Sequence, residues 1–294
     1  MVFINSEGKF NENTYLIDGQ LFRMKGNMAI YVIENKGVRL MIDTGESLSI
    51  RKTVKKMKEF GIFPVQKLLI THSHFDHMQG VGRLRELQNE VELEVFASEN
   101  AVDNLKNPER MNKGFEVDSV EKVTPLKEGD IIDLNGLKLE IFNFFGHTHD
   151  HIAVFDEKNK NIFTGDAILD RYDRETFTPT FMPTDFNESE LFMTFEKLRK
   201  LKKKLNSISL AHFGVWTGED CEMIINEMED LHHKTKESII EWYSESHSRD
   251  YITAKYHEKF IPNSKIHTKE NLTLLKWVIN LLIIGLLNSG YMHR

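Results

Sequence analysis

The chain has 294 residues, 40% of them apolar and 28% charged, with six prolines and no long biased tract. That composition excludes disordered, collagenous and repeat architectures and leaves one large mixed unit with an appendage. With 38 Lys and Arg against 45 Asp and Glu, the net charge of -7 offers no general attraction to nucleic acid or to an acidic membrane surface, so a small neutral or weakly charged substrate is expected. A single cysteine, Cys221, rules out an intramolecular disulfide framework and any multi-cysteine metal site, as a reducing compartment would allow. Residues 1–20 are broken by Glu7, Lys9, Glu12 and Asp18 and lack the apolar core of a secretory signal, so a cytoplasmic location is expected.

In chain order, two β-rich runs between Ala29 and Asp43, parted by Glu34 to Gly37, suit a hairpin that stops abruptly at Asp43-Thr44-Gly45. Ile50, Val54, Met57 and Phe60 have helical spacing, Gly61 closes that helix, and the apolar run Leu68 to Thr71 follows as a strand. Further strands are expected at 93–97, 137–144, 152–155, 162–164 and 207–211, with helices after Asp76, over 188–205 and from Glu219 to about Tyr243. The stretch from Ala167 to Asn187, with Pro179, Pro183 and several aromatics, is too long for a bland connection and reads as a lid or pocket wall. Beyond Gly218 strand signals fade, which divides the chain into a mixed domain, 1–218, and a helical C-terminal extension, 219–294. The apolar run from Leu272 to Leu287, interrupted by Lys276 and Asn280, falls short of the roughly 20 residues that span a bilayer, so it reads as a buried or homodimer-forming helix and not a membrane span.

The segment Thr71-His72-Ser73-His74-Phe75-Asp76-His77 packs three imidazoles and a carboxylate directly after an apolar strand. On extended backbone His72 and His74 share a face, while Asp76 and His77, entering a helix, turn toward a neighbouring point, which makes two adjacent metal positions. Imidazole and carboxylate donors without thiolates suit a catalytic zinc or iron site. The shells need further ligands, and His147, Asp166 and His212 each follow an apolar run. Strand ends that converge on one edge are where such folds build sites.

These residues resemble the metallo-β-lactamase fold superfamily, whose His-x-His-x-Asp-His hallmark is intact at 72–77 and whose later His, Asp and His match His147, Asp166 and His212. The similarity runs from Ala29 to His212 and includes Asp43-Thr44-Gly45. It implies an α+β fold, a four-layer αββα sandwich with the metals at one edge of its two sheets. Carried over by position, His72, His74 and His147 would hold one metal, Asp76, His77 and His212 a second, and Asp166 would bridge both, with two zinc ions, or iron or manganese, as the cofactor. A metal-bridging hydroxide would attack a small ester, lactone or thioester, Asp166 would fix the metal spacing, and Asp76 would orient the nucleophile and take its proton. Tyr172 resembles in its general region a tyrosine that lactonase relatives use to meet a developing oxyanion.

Where many relatives have Gly-His-Thr-Pro-Gly-His, this chain has Gly146-His147-Thr148-His149-Asp150-His151, whose additional side chains could orient ligands or touch substrate. Asp43 reads as an orienting or turn-forming carboxylate, the histidines from His232 onward as packing or surface residues, and the basic run Arg199 to Lys204 as a solvated helix end. Alternatives are a phosphodiesterase, a mononuclear iron oxygenase resembling persulfide dioxygenases, and a metal-binding module without catalysis. The complete second set, Asp76, His77 and His212, counts against the mononuclear reading, and His74, where flavodiiron relatives carry glutamate, counts against electron transfer.

Overall fold

The computed structural model describes residues 3–293. Its first half is built from β1 (Phe3–Ile4), β2 (Gly8–Lys9), β3 (Thr14–Asp18), β4 (Ala29–Asn35), β5 (Val38–Ile42), α1 (Ile50–Glu59), β6 (Lys67–Leu69), α2 (Phe75–Met78), α3 (Val81–Leu87), β7 (Glu94–Ser98), α4 (Ala101–Lys106) and β8 (Val123–Leu126). There follow β9 (Ile131–Leu134), β10 (Leu137–Asn143), β11 (Ile152–Asp156), β12 (Asn161–Gly165), β13 (Leu169–Asp173), β14 (Thr176–Pro179), α5 (Glu188–Leu201), β15 (Ser207–Leu210), β16 (Val215–Thr217), α6 (Glu219–Glu245), α7 (Arg249–Phe260) and α8 (Thr273–Asn288). The expected hairpin turns at Lys36 and Gly37, whose φ angles of 48° and 83° give the left-handed pair that matches strand twist.

Two seven-stranded sheets form, one ordered β2-β3-β4-β5-β6-β7-β8 and the other β1-β16-β15-β12-β11-β10-β9. Period-2 alternation assigns their faces: on β4, Ala29, Tyr31 and Ile33 point between the sheets, while Ile30 and Val32 point to the helices α1, α3 and α4. On β11, Ile152 and Val154 join the layer between the sheets, and Ala153 and Phe155 join the cluster with α5 and α6. The result is the expected αββα sandwich. Central strands such as β4, β11, β12 and β15 are buried on both faces, which explains their nearly continuous apolar runs.

The helices after Gly218 bury Ile224, Ile225, Met228, Ile239, Ile252 and Tyr256 in the same hydrophobic cluster as β11, β12 and β15. Glu188, at the start of α5, ties this bundle together by accepting hydrogen bonds from His232 at 2.7 Å, Tyr291 at 2.6 Å and Lys236. His232 is therefore a packing histidine, ringed by Phe181, Phe186 and Phe192. Arg199 of the basic run pairs with Glu196 and Glu229, as befits a solvated helix end.

The 167–187 stretch is more ordered than an irregular loop: β13 and β14 pair as a separate antiparallel hairpin. Its Phe177, Phe181 and Phe186 are buried in the cluster with the C-terminal helices, and the residues it gives to the pocket described below are Asp170, Tyr172, Met182, Pro183 and Thr184. The expected apolar pocket wall comes mainly from elsewhere, because the large aromatics of this stretch complete the core.

Helix α8 is a buried helix, as its composition suggests, and no helix among the described residues is long and apolar enough to cross a membrane. It approaches the 181–182 backbone so closely that a Cβ on Gly285 would lie 2.1 Å from the Phe181 carbonyl oxygen. In an open helix Gly→Ala stabilises by about 1 kcal/mol. Here Gly285→Ala is expected to destabilise by about 1–3 kcal/mol through overpacking, read as a lower denaturant midpoint. A raised midpoint would show that α8 can shift freely.

Candidate metal centre

The parallel pairs β5·β6 and β12·β15 end at the same edge of the sandwich, and their carboxyl-terminal loops carry the polar side chains. Asp43 follows β5, His72 to His77 follow β6, His147 lies between β10 and β11, Asp166 follows β12 and His212 follows β15. All seven residues expected as ligands meet there. Their donor atoms fall into three overlapping groups, His72/His74/His147, His72/His77/Asp166 and Asp76/His77/His212, each with all donors within 4.8 Å of one another.

In the first half, His74 Nδ1 lies 3.0 Å from His72 Nε2 and 3.0 Å from His147 Nε2. In the second, His212 Nε2 is 3.5 Å from an Asp76 oxygen, and His77 Nε2 is 3.9 Å from the other. Asp166 stands between them: its Oδ2 is 3.7 Å from His147, 3.9 Å from His72 and 3.2 Å from His77, and its Oδ1 is 3.6 Å from His212.

Outer contacts fix which nitrogen faces inward. His77 Nδ1 donates to Asp43 Oδ2 at 2.8 Å, His147 Nδ1 to the Thr180 carbonyl at 2.8 Å, and His212 Nδ1 to the Asn27 carbonyl. Each acceptor claims the Nδ1 proton and leaves Nε2 free to offer a lone pair to the centre. Asp43, at a left-handed φ of 57° that aspartate tolerates, also accepts from the Thr71 N–H at 2.8 Å and the Thr71 hydroxyl at 2.9 Å. It is thus an orienting residue, as its place after β5 suggests.

Charge is divided across the centre. Burial, then the neighbouring imidazoles of His77 and His74, keeps His72 well below the ordinary histidine range, and burial with His74 brings His147 down to about 4. Burial acts on His77 and His212 too, yet Asp166 and Asp43 carry His77 well above that range, and Asp166 and Asp170 carry His212 to about 10. One half therefore presents neutral imidazoles, and the other holds carboxylates that call for positive charge.

The His149 to His151 segment divides by role. Asp150 is buried and accepts from Ser73 at 2.5 Å, Thr148 at 2.6 Å and Asn104 at 2.8 Å, so it braces the His72–His77 loop from behind. His151 Nε2 accepts from the Asp166 N–H at 3.0 Å. That contact needs the residue before Asp166 to be glycine, since a Cβ on Gly165, at φ 51°, would lie 2.5 Å from the His151 ring nitrogen. His149 faces outward to Glu190 at 2.8 Å.

Tyr172 does reach the site: it lines the same pocket as His74, Asp76, His147, Asp166 and His212, with its ring centroid 6.5 Å from that of His212. Asp170, overlooked in the sequence, lines it as well. It is buried, Thr178 donates to its Oδ2 at 3.0 Å, its Oδ1 has no hydrogen-bond partner, and burial pushes it up to about 8. No strand pattern in the sequence marked it, because the 167–187 stretch reads as a loop and β13 exists by pairing with β14.

The model of the Metallo-beta-lactamase superfamily matches residues 26–212 of this sequence, a span that begins before β4 and ends at His212. The chain belongs to the metallo-beta-lactamase superfamily. It is 27% identical over 150 residues to hydroxyacylglutathione hydrolase GloC of Haemophilus influenzae, covering 49% of this chain and 66% of that protein. It is 25% identical over 173 residues to acyl-coenzyme A thioesterase MBLAC2 of Homo sapiens, covering 51% of this chain and 61% of that one. The chain thus spans less than two thirds of the length of these curated relatives. Among solved structures, metallo-beta-lactamase family protein TTHA1429 from Thermus thermophilus shares the fold over 96% of this chain and 95% of its own, with a TM-score of 0.68 at 16% identity.

The residues present fit metal. Asp166 Oδ1 is buried, faces the centre and has no hydrogen-bond partner among the described residues, which in an apolar interior is costly unless a cation takes its lone pair. The nitrogen and oxygen donor set suits zinc, and iron or manganese less specifically.

Proposed function

We propose that this metallo-beta-lactamase superfamily member is a binuclear zinc hydrolase of small acyl esters, with thioesters as the leading class and lactones next. The observation that carries the reading is the position of Asp166, whose two oxygens lie within 3.9 Å of donors from both halves of the centre. His72, His74 and His147 would hold one ion and Asp76, His77 and His212 the other, with Asp166 shared. Bound there, the ions would polarise the acyl carbonyl and lower the pKa of water toward neutrality.

The side chains supply the rest. Water adds to the acyl carbon, its proton passes to the carboxylate of Asp76, and the carbon–sulfur bond breaks to release thiolate and carboxylic acid. Tyr172 keeps its proton, because burial and the nearby Asp170 hold it well above the ordinary tyrosine range, and it donates a hydrogen bond to the carbonyl oxygen as negative charge grows there. The names of the thioesterase and hydroxyacylglutathione hydrolase relatives support the thioester class. The net charge of -7 favours a small-molecule substrate over nucleic acid.

Thiol release from a panel of acyl thioesters, with lactones and phosphodiesters alongside, tests this. Thioester turnover that disappears on chelation and returns with zinc is expected. Phosphodiester turnover without thioester turnover would overturn it.

A further inference from the structure

Helix α8 is apolar on two sides, and only one of them packs into the core. Leu275, Ile279, Leu282, Ile283 and Leu286 are buried against the bundle, whereas Leu274, Trp277, Leu281 and Ile284, spaced by three and four residues, line the cavity of about 370 Å³ that also holds the metal-centre side chains. Apolar side chains facing a water-accessible cavity are unfavourable unless something apolar covers them. Across from α8, Phe22 is exposed and sits in a turn where Gln20, Phe22 and Arg23 have φ angles of 51°, 53° and 62°, a region that L-residues avoid. That turn sets the Phe22 ring edge-on to Trp277, with centroids 5.5 Å apart, and 6.1 Å from Phe75, which stacks on Phe115 at 3.6 Å. Apart from the metal centre and Asp170 beside it, Lys113 is the one charged side chain among the described residues that lines the cavity.

We propose that this cavity is an acyl-chain chamber, walled by α8 and closed by the Phe22–Trp277 pair, which selects substrates whose acyl group is a long aliphatic chain. The proposal rests on the acyl-hydrolase reading of the metal centre and names its substrate class. A chain attached to a carbonyl at the metal donors has apolar side chains to run along from Leu274 to Ile284. A polar or charged acyl group would meet few partners there and lose its hydration.

Binding separates this from the hydrolysis reading. In calorimetric titrations of the zinc-loaded protein, dodecanoate is expected to bind at least about tenfold more tightly than butanoate, since each methylene taken from water is worth roughly fourfold. Leu281→Trp, which fills the chamber, should reduce the preference below about twofold with zinc content unchanged, and Phe22→Ala, at an exposed position that threatens the fold less, should weaken dodecanoate by about tenfold. With turnover, kcat/KM for thioesters of one thiol should rise from butanoyl to dodecanoyl and level out in the Leu281→Trp variant. Preferential dodecanoate binding that these variants abolish, with no thioester turnover, would uphold the chamber and overturn the thioesterase reading. Equal binding of the two carboxylates by the unaltered protein, or a preference untouched by both substitutions, would overturn the chamber.

Discussion

Asp166→Asn is expected to lower thioester turnover by more than about 100-fold and to leave no more than one zinc per chain. Losing a partner that merely orients a ligand typically costs about 10–100-fold, and Asp166 is placed as a ligand, with oxygens 3.2 Å from His77 and 3.6 Å from His212. Asparagine keeps the shape and one oxygen but removes the charge that the two halves would share. The substitution leaves the His151 contact standing, because that bond is made by the Asp166 backbone N–H and not by its side chain. Circular dichroism should therefore match the unaltered protein while activity and zinc fall together. Unchanged kcat/KM in Asp166→Asn would remove this residue from the mechanism.

Asp43 produces the second large effect, and it acts through His77. Its carboxylate fixes the His77 ring from outside and closes the Thr71 backbone against β5. Asp43→Asn keeps an acceptor for the Thr71 N–H but no longer offers His77 a charged one, so zinc affinity measured against a competing chelator should fall about 10–100-fold with little change in fold. Asp43→Ala removes both acceptors and strands a buried N–H, so it should add about 1–3 kcal/mol of destabilisation in chelator. Zinc affinity unchanged in both variants would show that His77 is positioned without Asp43.

The site was legible because ligand chemistry is local: His72, His74, Asp76 and His77 share six positions, and His147, Asp166 and His212 each end an apolar strand. The continuous apolar runs of β4 and β11 likewise mark strands buried on both faces. Less visible was anything decided by distant packing. The β13–β14 hairpin looked like an irregular loop because Pro179 and its dense polar residues mask a short edge pair, and Asp170 was hidden in it. Short strands such as β3 and β16 carry too few residues to show a period, and they exist by pairing with β4 and β15. The apolar character of α8 was plain in the sequence, but its two targets, core and cavity, depend on where the 20–23 turn places Phe22.

Elemental mass spectrometry of the zinc-reconstituted protein, with His147→Ala and His212→Ala prepared in parallel, tests the binuclear centre most directly. Two zinc ions per chain, falling to one in each variant, is the predicted result, because each substitution removes a donor from a different half. A single metal per unaltered chain, with zinc content indifferent to His212→Ala, would contradict the shared role of Asp166.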